Sequence, residues 1–462
     1  MERLDDGVFR ALLDRAIGPE RAAKAYPAFF AAPTTAIRLN PFKAIAPAAV
    51  PPATSSQGNK GKCSSAAGDT AASDVVNTLT SQENMGKCSR AEGDTATGKA
   101  IQIPWSKWGR ILGERPVFTL DPLYHAGAYY VQDSSAQFVG HVFRKALAAE
   151  ENGFEQPGEP ELPGQTRQLG QLNVLDLCAA PGGKTTDLAA SLRERCGNNF
   201  LLVANEVMRA RVGVLHDNVA TWGDPRVAVT SADPAVIGRQ EGVFDVIVAD
   251  VPCSGEGMFR KDPVAVREWS EETVDLCEKR ARRIVADVWP ALREGGLLVF
   301  STCTFNTREN DGNVAWIARN LGATVLHPLA GETWPEGFEV LPTTYGHLLV
   351  PGFVPGEGQY CAVLKKNGEA AAGVPDLGAL RAAWPCAKEE ALSLDWDCRC
   401  PDAEVDRPTA LKFLHRDSFA LPDAPRGLLR ITYGGLGLGF VKNIGTRCNN
   451  LLPVGRRIRM DI

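Results

Sequence analysis

The feature that most constrains this chain is a regular alternation between Asn173 and Lys366, where short apolar runs rich in Val, Leu and Ile are separated by stretches of helical pattern. The runs are NVLDLC, LLVANE, RVAVTSAD, FDVIVADVP, GGLLVFSTCT, ATVLHPL and QYCAVLKK. Between them lie GKTTDLAASLRER, MRARVGVLHDNVATW, a helix near Glu271 to Leu292, and RENDGNVAWIARN. Strands that are apolar on both faces and divided by helices imply βαβ units around a mostly parallel sheet. The segment reads as a doubly wound α/β domain, whose ligands are expected at the carboxyl ends of the strands near the switch point.

The residues just past each run are therefore the ones to weigh. After the first run comes Asp176-Leu-Cys-Ala-Ala-Pro-Gly-Gly-Lys184, in which Gly182 and Gly183 permit a tight turn facing the positive end of a helix. The dinucleotide fingerprint G-x-G-x-x-G is absent, which disfavours a nucleotide-dependent oxidoreductase. The second run ends in Glu206, a carboxylate suited to both hydroxyls of a ribose, and the third in Asp233, suited to an adenine amino group. Each acid alone reads equally well as a helix cap. Together with the glycine turn they describe an adenosine site without a phosphate clamp. The fourth run leads into Asp250-Val-Pro-Cys253 and the fifth into Thr302-Cys303-Thr304, so two cysteines close neighbouring strands in one ligand crevice. A lone buried cysteine is usually an inert small hydrophobe, but that reading does not account for two of them here.

The rest of the chain frames this domain. At 462 residues the length anticipates two to four domains. Residues 44–100 shift to Ala, Ser, Thr, Gly, Asn and Pro with almost no large apolar side chain, so they read as a loop or disordered insert. Within it GKCSSAAGDTA recurs as GKCSRAEGDTA, a local duplication too short to build a solenoid. Residues 151–170, acidic and rich in Pro and Gly, read as a second insert, and 368–406 as a linker. The net charge of −5 alone argues against a nucleic-acid partner, yet residues 407–460 carry ten Lys and Arg against two Asp. A basic tail on an acidic body is expected to meet an anion, with RNA or DNA foremost; a solvated basic face is the plainer alternative. The twelve cysteines include no C-x-x-C pair and no histidine at metal-ligand spacing, so free thiols and no metal are expected. No apolar run approaches a membrane span and the N-terminus has no apolar signal core, so a cytoplasmic protein without membrane contact is expected.

Taken together, VLDLCAAPGGKT, ANE, SAD, DVPCSGEGMFRKDP and FSTCT resemble the RNA cytosine-5 methyltransferases of the Sun type, and among them the bacterial ribosomal-RNA enzymes called RsmF. GAYYVQDSS resembles the family's segment beside the cofactor, TTAIRLNPFK its N-terminal RNA-facing region, and GGLGLGFVKNIGTRCNNLLP its C-terminal PUA-like module. The stretch from Tyr345 to Tyr360 departs from the family, being longer and lacking the usual aromatic pair after Gly358. The resemblance implies a Rossmann-like class I methyltransferase domain between an N-terminal RNA-facing region and a C-terminal PUA-like α+β domain. The implied boundaries are 1–125 for the N-terminal region, 126–367 for the catalytic domain, 368–406 for the linker and 407–462 for the basic domain.

Carried over residue by residue, the resemblance implies that Cys178, Ala179, Ala180, Pro181, Gly182, Gly183, Lys184, Glu206, Asp233 and Asp250 bind S-adenosyl-L-methionine. Cys303 would be the nucleophile, and Cys253 would assist release of the methylated base. Asp250 stands three residues before Cys253 and is also a catalytic candidate, since it could bond the cytosine amino group or ring nitrogen. Lys442 and Arg447 are the candidate RNA contacts of the tail, and Lys261 either holds a phosphate or caps the following turn. The chemistry calls for sulfur: a thiolate adding to carbon 6 of cytosine makes carbon 5 nucleophilic, and a thiol is partly ionised near neutrality. The expected partner is ribosomal RNA or the small ribosomal subunit, and the expected state is a monomer. Transfer RNA as substrate, and a non-catalytic RNA-binding or assembly factor, are the alternatives.

Overall fold

The computed structural model describes residues 6–43, 100–152, 171–370, 372–384 and 389–461. The duplicated insert and most of the 151–170 segment lie outside the described residues.

The chain begins with helices Asp6–Ile17 and Pro19–Ala25. It then builds an antiparallel sheet from β1 (Thr35–Leu39), β2 (Ile101–Ile103), β3 (Ser106–Leu112) and β4 (Tyr129–Val131), in the order β2-β3-β1-β4. The central sheet holds β5 (Leu172–Asp176), β6 (Phe200–Asn205), β7 (Val227–Thr230), β8 (Phe244–Asp250) and β9 (Leu292–Thr302). It is completed by β10 (Ala323–Leu326), β11 (Leu341–Pro342), β12 (Gly346–Leu349) and β13 (Gln359–Lys366). The strand order is β11-β12-β13-β9-β8-β5-β6-β7, with β10 also paired to β13. From β9 to β7 all pairings are parallel, whereas β13 is antiparallel to β9, β10 and β12. The expected α/β sheet is thus parallel in its functional half and mixed beyond it. Its order reverses between β5 and β8, which places the switch point where Asp176 and Asp250 end their strands.

Successive residues of one strand enter opposite cores. Leu175, Val203, Ile247 and Phe300 pack with helix Glu271–Val288, while Val174, Leu202, Val248 and Val299 pack with helices Phe138–Asn152 and Gly183–Cys196. Burial of both faces is why the runs are continuously apolar instead of alternating.

The third sheet contains β14 (Asp402–Glu404), β15 (Gly427–Tyr433), β16 (Leu436–Asn443) and β17 (Cys448–Asn450), with helix Arg407–His415. Asp402–Glu404 lies within the stretch read as a linker, yet it pairs in parallel with β15. More of that stretch is folded: Ala383 bridges Val229 at the edge of β7, and Ala391 and Leu392 are buried.

The N-terminal sheet is joined to the central α/β domain through buried cations. Arg38 is wholly buried, donating to Gln132 Oε1 at 2.8 Å and to the Gly183 carbonyl at 3.1 Å, with Asp187 Oδ2 at 3.9 Å and the Trp222 ring 4.6 Å from its guanidinium carbon. Lys43 Nζ donates to the carbonyls of Ala126 and Thr221 at 2.7 and 2.8 Å. Both belong to the stretch that the resemblance places toward RNA; these two cations instead serve as internal struts. Replacing Arg38 by Met leaves several acceptors unpaired in the interior and is expected to cost about 3 kcal/mol. Urea denaturation checks this, and an unshifted midpoint would mean that the joint does not contribute.

Candidate active site

The site is assembled from the carboxyl ends of β5, β6, β8 and β9. Gly182 stands at φ 110° as the N-cap of helix Gly183–Cys196, with no side chain closing the first turn, so backbone N–H groups are left facing the strand ends. Tyr130 flanks this turn, its hydroxyl 3.3 Å from the Pro181 carbonyl, which is the neighbourhood expected for GAYYVQDSS. Asp176 is fully buried, and burial pushes its carboxyl up to about 7. Its Oδ2 accepts from Thr185 Oγ1 at 2.7 Å, while its Oδ1 has no hydrogen-bond partner among the described residues. A buried acceptor without a partner beside an open helix terminus is a place for a polar or cationic ligand group. Glu206 is 3% exposed; it accepts from Met208 N at 2.8 Å and lies 3.2 Å from Arg211 Nη1. Asp233 is exposed and caps helix Pro234–Ile237 through Ala235 N at 3.0 Å. The glycine turn and the two acids thus lie on consecutive strands β5, β6 and β7, with Asp233 also serving as a cap.

The two cysteine loops meet. Cys253 Sγ and Cys303 Sγ are 3.3 Å apart. Gly257 makes this approach possible: its N–H donates to the Cys303 carbonyl at 2.7 Å, and a Cβ there would stand 2.8 Å from that oxygen. The Cys253 thiol is pushed well above the usual range by its hydrogen bond with Cys303, then by burial, by the charge of Cys303 and, after these, by the negative charge of Glu309. Asp250 is held from three sides. Ser301 Oγ donates to its Oδ1 at 2.7 Å, Gln359 Nε2 donates to the same oxygen at 3.1 Å, and Lys184 Nζ lies 2.9 Å from Oδ2. Burial works against the Lys184 charge, but Asp250 and the Cys303 sulfur outweigh it and hold the ammonium above its ordinary pKa. The two sulfurs therefore have different surroundings: Lys184 is coupled to Cys303, and Glu309 to Cys253.

Beneath the sulfurs lies a polar cluster that the sequence reading does not anticipate. Glu309, 1% exposed, accepts from Ser254 N at 2.9 Å and from Asn306 Nδ2 at 2.8 Å, and Ser254 Oγ donates to it as well. Glu256 is equally buried and accepts from Phe305 N, Trp269 Nε1 and Asn306 Nδ2. Aromatic rings close the cluster from outside. Phe9 of the first helix packs 5.3 Å from both Phe29 and Phe259, and Phe29 lies 5.2 Å from Phe305, so the N-terminal helices brace both loops. The signal was present in CSGEG and TFNTREN, whose polar residues have no amphipathic spacing; only their three-dimensional partners explain them.

The expected RNA contacts divide. Lys261 is exposed, with Asp133 Oδ2 at 3.9 Å and Glu357 Oε1 at 3.7 Å, so it lies between carboxylates at the rim of the cysteine loops. Lys442 and Arg447 are exposed on β16 and on the turn into β17, together with Arg426, Lys412, Arg457 and Arg459. The other cations of the tail have internal bonds. Arg430 is buried against Asp402 and the Ala391 carbonyl, and Arg407, Arg416 and Arg456 donate to Leu120, Leu452 and Thr221. The basic surface is thus narrower than the ten cations imply. Outside this site, His216, Asp217 and Glu389 each bring one ligand atom within 4.8 Å of the others, the one such grouping found among the described residues. No helix among the described residues is long and apolar enough to cross a membrane.

Residues 167–364 match the family described as 16S rRNA methyltransferase RsmB/F, and residues 400–458 the methyltransferase RsmF PUA domain. The ribosomal RNA small subunit methyltransferase F of Escherichia coli O9:H4 (strain HS) is 40% identical over 196 residues, which is 42% of this chain and 40% of that protein. The protein of the same name from Serratia proteamaculans (strain 568) is 35% identical over 244 residues, 52% of this chain and 46% of that one. The aligned stretch spans less than half the length of these relatives. Among solved structures, a methyltransferase homolog protein from Pyrococcus horikoshii has a TM-score of 0.53 at 20% identity, covering 79% of this chain and 98% of its own. NSun6 from Pyrococcus horikoshii with SFG has a TM-score of 0.51 at 16% identity, covering 78% of this chain and 98% of its own. These two likenesses speak to the fold.

Proposed function

We propose that the chain is an RNA cytosine-5 methyltransferase that uses S-adenosyl-L-methionine and acts on small-subunit ribosomal RNA, because residues 167–364 match the 16S rRNA methyltransferase RsmB/F family and residues 400–458 the methyltransferase RsmF PUA domain. The observation that carries this reading is the pair of sulfurs 3.3 Å apart at the ends of adjacent parallel strands. Neither core packing nor a structural metal calls for two thiols at a switch point.

Cys178 to Lys184, Glu206, Asp233 and Asp250 would hold the methyl donor, and the unpartnered Asp176 oxygen, missing from the sequence reading, fits its cationic amino acid end. When bound, the donor supplies an electrophilic methyl group. The protein's part begins with Cys303, whose sulfur adds to carbon 6 of the target cytosine and raises electron density at carbon 5. Asp250, fixed by Ser301, Gln359 and Lys184, is positioned to bond the ring's amino group or nitrogen as charge develops. Once carbon 5 bears the methyl group, a base such as water takes up its proton, in a release stage that Cys253 assists. The Cys303–carbon 6 bond then breaks and aromaticity returns. The target base has to leave its stack to reach this crevice, which is cheapest in unpaired or distorted RNA.

The exposed cations of β16 and β17 are the surface on which backbone phosphates would be gripped. Replacing Lys442 and Arg447 together by Ala is expected to weaken RNA binding and to lower the salt slope of log K by about 1.5, through the loss of two phosphate contacts. Filter binding across a salt series measures this; an unchanged slope would place the RNA elsewhere. The function itself is tested by bisulfite sequencing of RNA from cells with and without the gene, paired with methyl transfer from tritiated S-adenosyl-L-methionine to bulk RNA. Loss of one protected cytosine in small-subunit RNA is the expected result. Unaltered bisulfite maps together with no transfer in vitro would leave the non-catalytic assembly factor as the better reading.

A further inference from the structure

Two buried carboxylates lie under the cysteine loops, and among the described residues no cation pairs with either. Glu256 Oε1 and Glu309 Oε1 are 3.0 and 2.8 Å from the same side-chain nitrogen, Asn306 Nδ2. Every other bond to the Glu309 carboxylate comes from Ser254, the residue next to Cys253: its N–H at 2.9 Å and its hydroxyl. Ser254 Oγ is also 2.9 Å from Thr304 Oγ1, next to Cys303 on the opposite loop. Glu309 thus ties the loop of one cysteine to the loop of the other, and it brings a charge that nothing cationic cancels.

We propose that Glu309 is a positioning residue for the cysteine pair, anchoring the Cys253 loop through Ser254 and, as an anion, keeping Cys253 a neutral thiol while Cys303 serves as the nucleophile. This rests on the reading of the site as a cytosine-5 methyltransferase and supplies what that reading lacks, a reason why two adjacent thiols do not exchange roles. Without such a bias either sulfur could lose its proton, and a thiolate at 253 would repel one at 303.

The surrounding groups agree with this assignment. Burial and then the charge of Glu256 raise the Glu309 carboxyl to about 7, so it ionises near neutrality. Cys277, on helix Glu271–Val288, is another thiol raised by burial and then by the charge of Glu309. The carboxylates of Asp275 and Glu278 on the same helix are taken up by Arg308. Lys184, whose ammonium is held charged in part by Cys303, is bound to Asp250.

The test reads Cys253 directly, by iodoacetamide alkylation across pH with peptide mass spectrometry, in the full chain carrying Cys303→Ala. Adding Glu309→Gln is expected to lower the alkylation midpoint of Cys253 by about one pH unit, roughly a tenfold gain in thiolate below the midpoint. Glu309→Asp keeps the charge and is expected to restore most of the parent midpoint. A midpoint that does not move on Glu309→Gln, in protein whose melting is unchanged, overturns the proposal. Should Glu309→Gln not fold, the Cys303→Ala chain alone decides: its Cys253 profile should bend near pH 7 as Glu309 ionises, and a simple one-proton curve rejects the idea. Neither readout involves methyl transfer, so a failure here is distinguishable from failure of the enzymatic reading.

Discussion

Cys303→Ala is expected to abolish methyl transfer to RNA, by about a thousandfold or more, while leaving the fold and the affinity for S-adenosyl-L-methionine nearly intact. The size follows from the chemistry. Carbon 5 of cytosine is a poor nucleophile, and the neighbouring thiol, Cys253, 3.3 Å away, is assigned to release and not to addition at carbon 6. Folding should survive because the Cys303 side chain is only partly buried and its contributions to the loop pass through the backbone, notably the carbonyl that accepts from Gly257. The measurement is a tritiated transfer assay beside a calorimetric titration of the methyl donor. Full activity in the variant would reject covalent catalysis at this position and with it the assignment of roles to the two thiols.

The second large effect is qualitative. With Cys253 replaced by Ala, addition at Cys303 and methylation can proceed, but the step that frees the enzyme is impaired, so a covalent RNA–protein complex should accumulate. Denaturing electrophoresis should show it as a slowly migrating species, absent when Cys303→Ala is added in the same chain. Turnover should fall by two orders of magnitude or more, about the contribution of a general acid–base group. The 3.3 Å separation supports this assignment, since a group that helps the Cys303 adduct to break down has to reach the same pyrimidine ring. If no complex forms in the Cys253 variant and turnover persists, release proceeds without Cys253.

How much of this could be read beforehand differs from one part of the molecule to another. The central sheet was legible because Val174 and Leu175, or Leu202 and Val203, enter opposite cores, and a strand buried on both faces has to be apolar throughout. The cysteines were legible because position at a strand end, at a switch point, is itself a functional signal. The partners of Asp250 were not: Ser301 and Gln359 come from β9 and β13, and only the antiparallel insertion of β13 beside β9 brings Gln359 to it. Arg38, Lys43 and Arg430 were misleading for the opposite reason, since composition counts a cation without saying that its acceptors are backbone carbonyls inside the protein. Glu256 and Glu309 look like ordinary surface acids in a loop sequence. Their burial is decided by aromatic side chains contributed from Phe9 and Phe29, more than two hundred residues earlier.

The strut formed by Arg38 also bears on how the molecule can be cut. It comes from the strand preceding the insert and ends at the carbonyl of Gly183, in the turn that the methyl donor would approach. A fragment engineered to start at residue 126 would keep every proposed catalytic residue yet lose β1, the neighbour of β4, and leave Gln132 and Thr186 without their donor. The proposed reaction centre is therefore not expected to be a portable module: a minimal expression vector has to encode the leading segment as well.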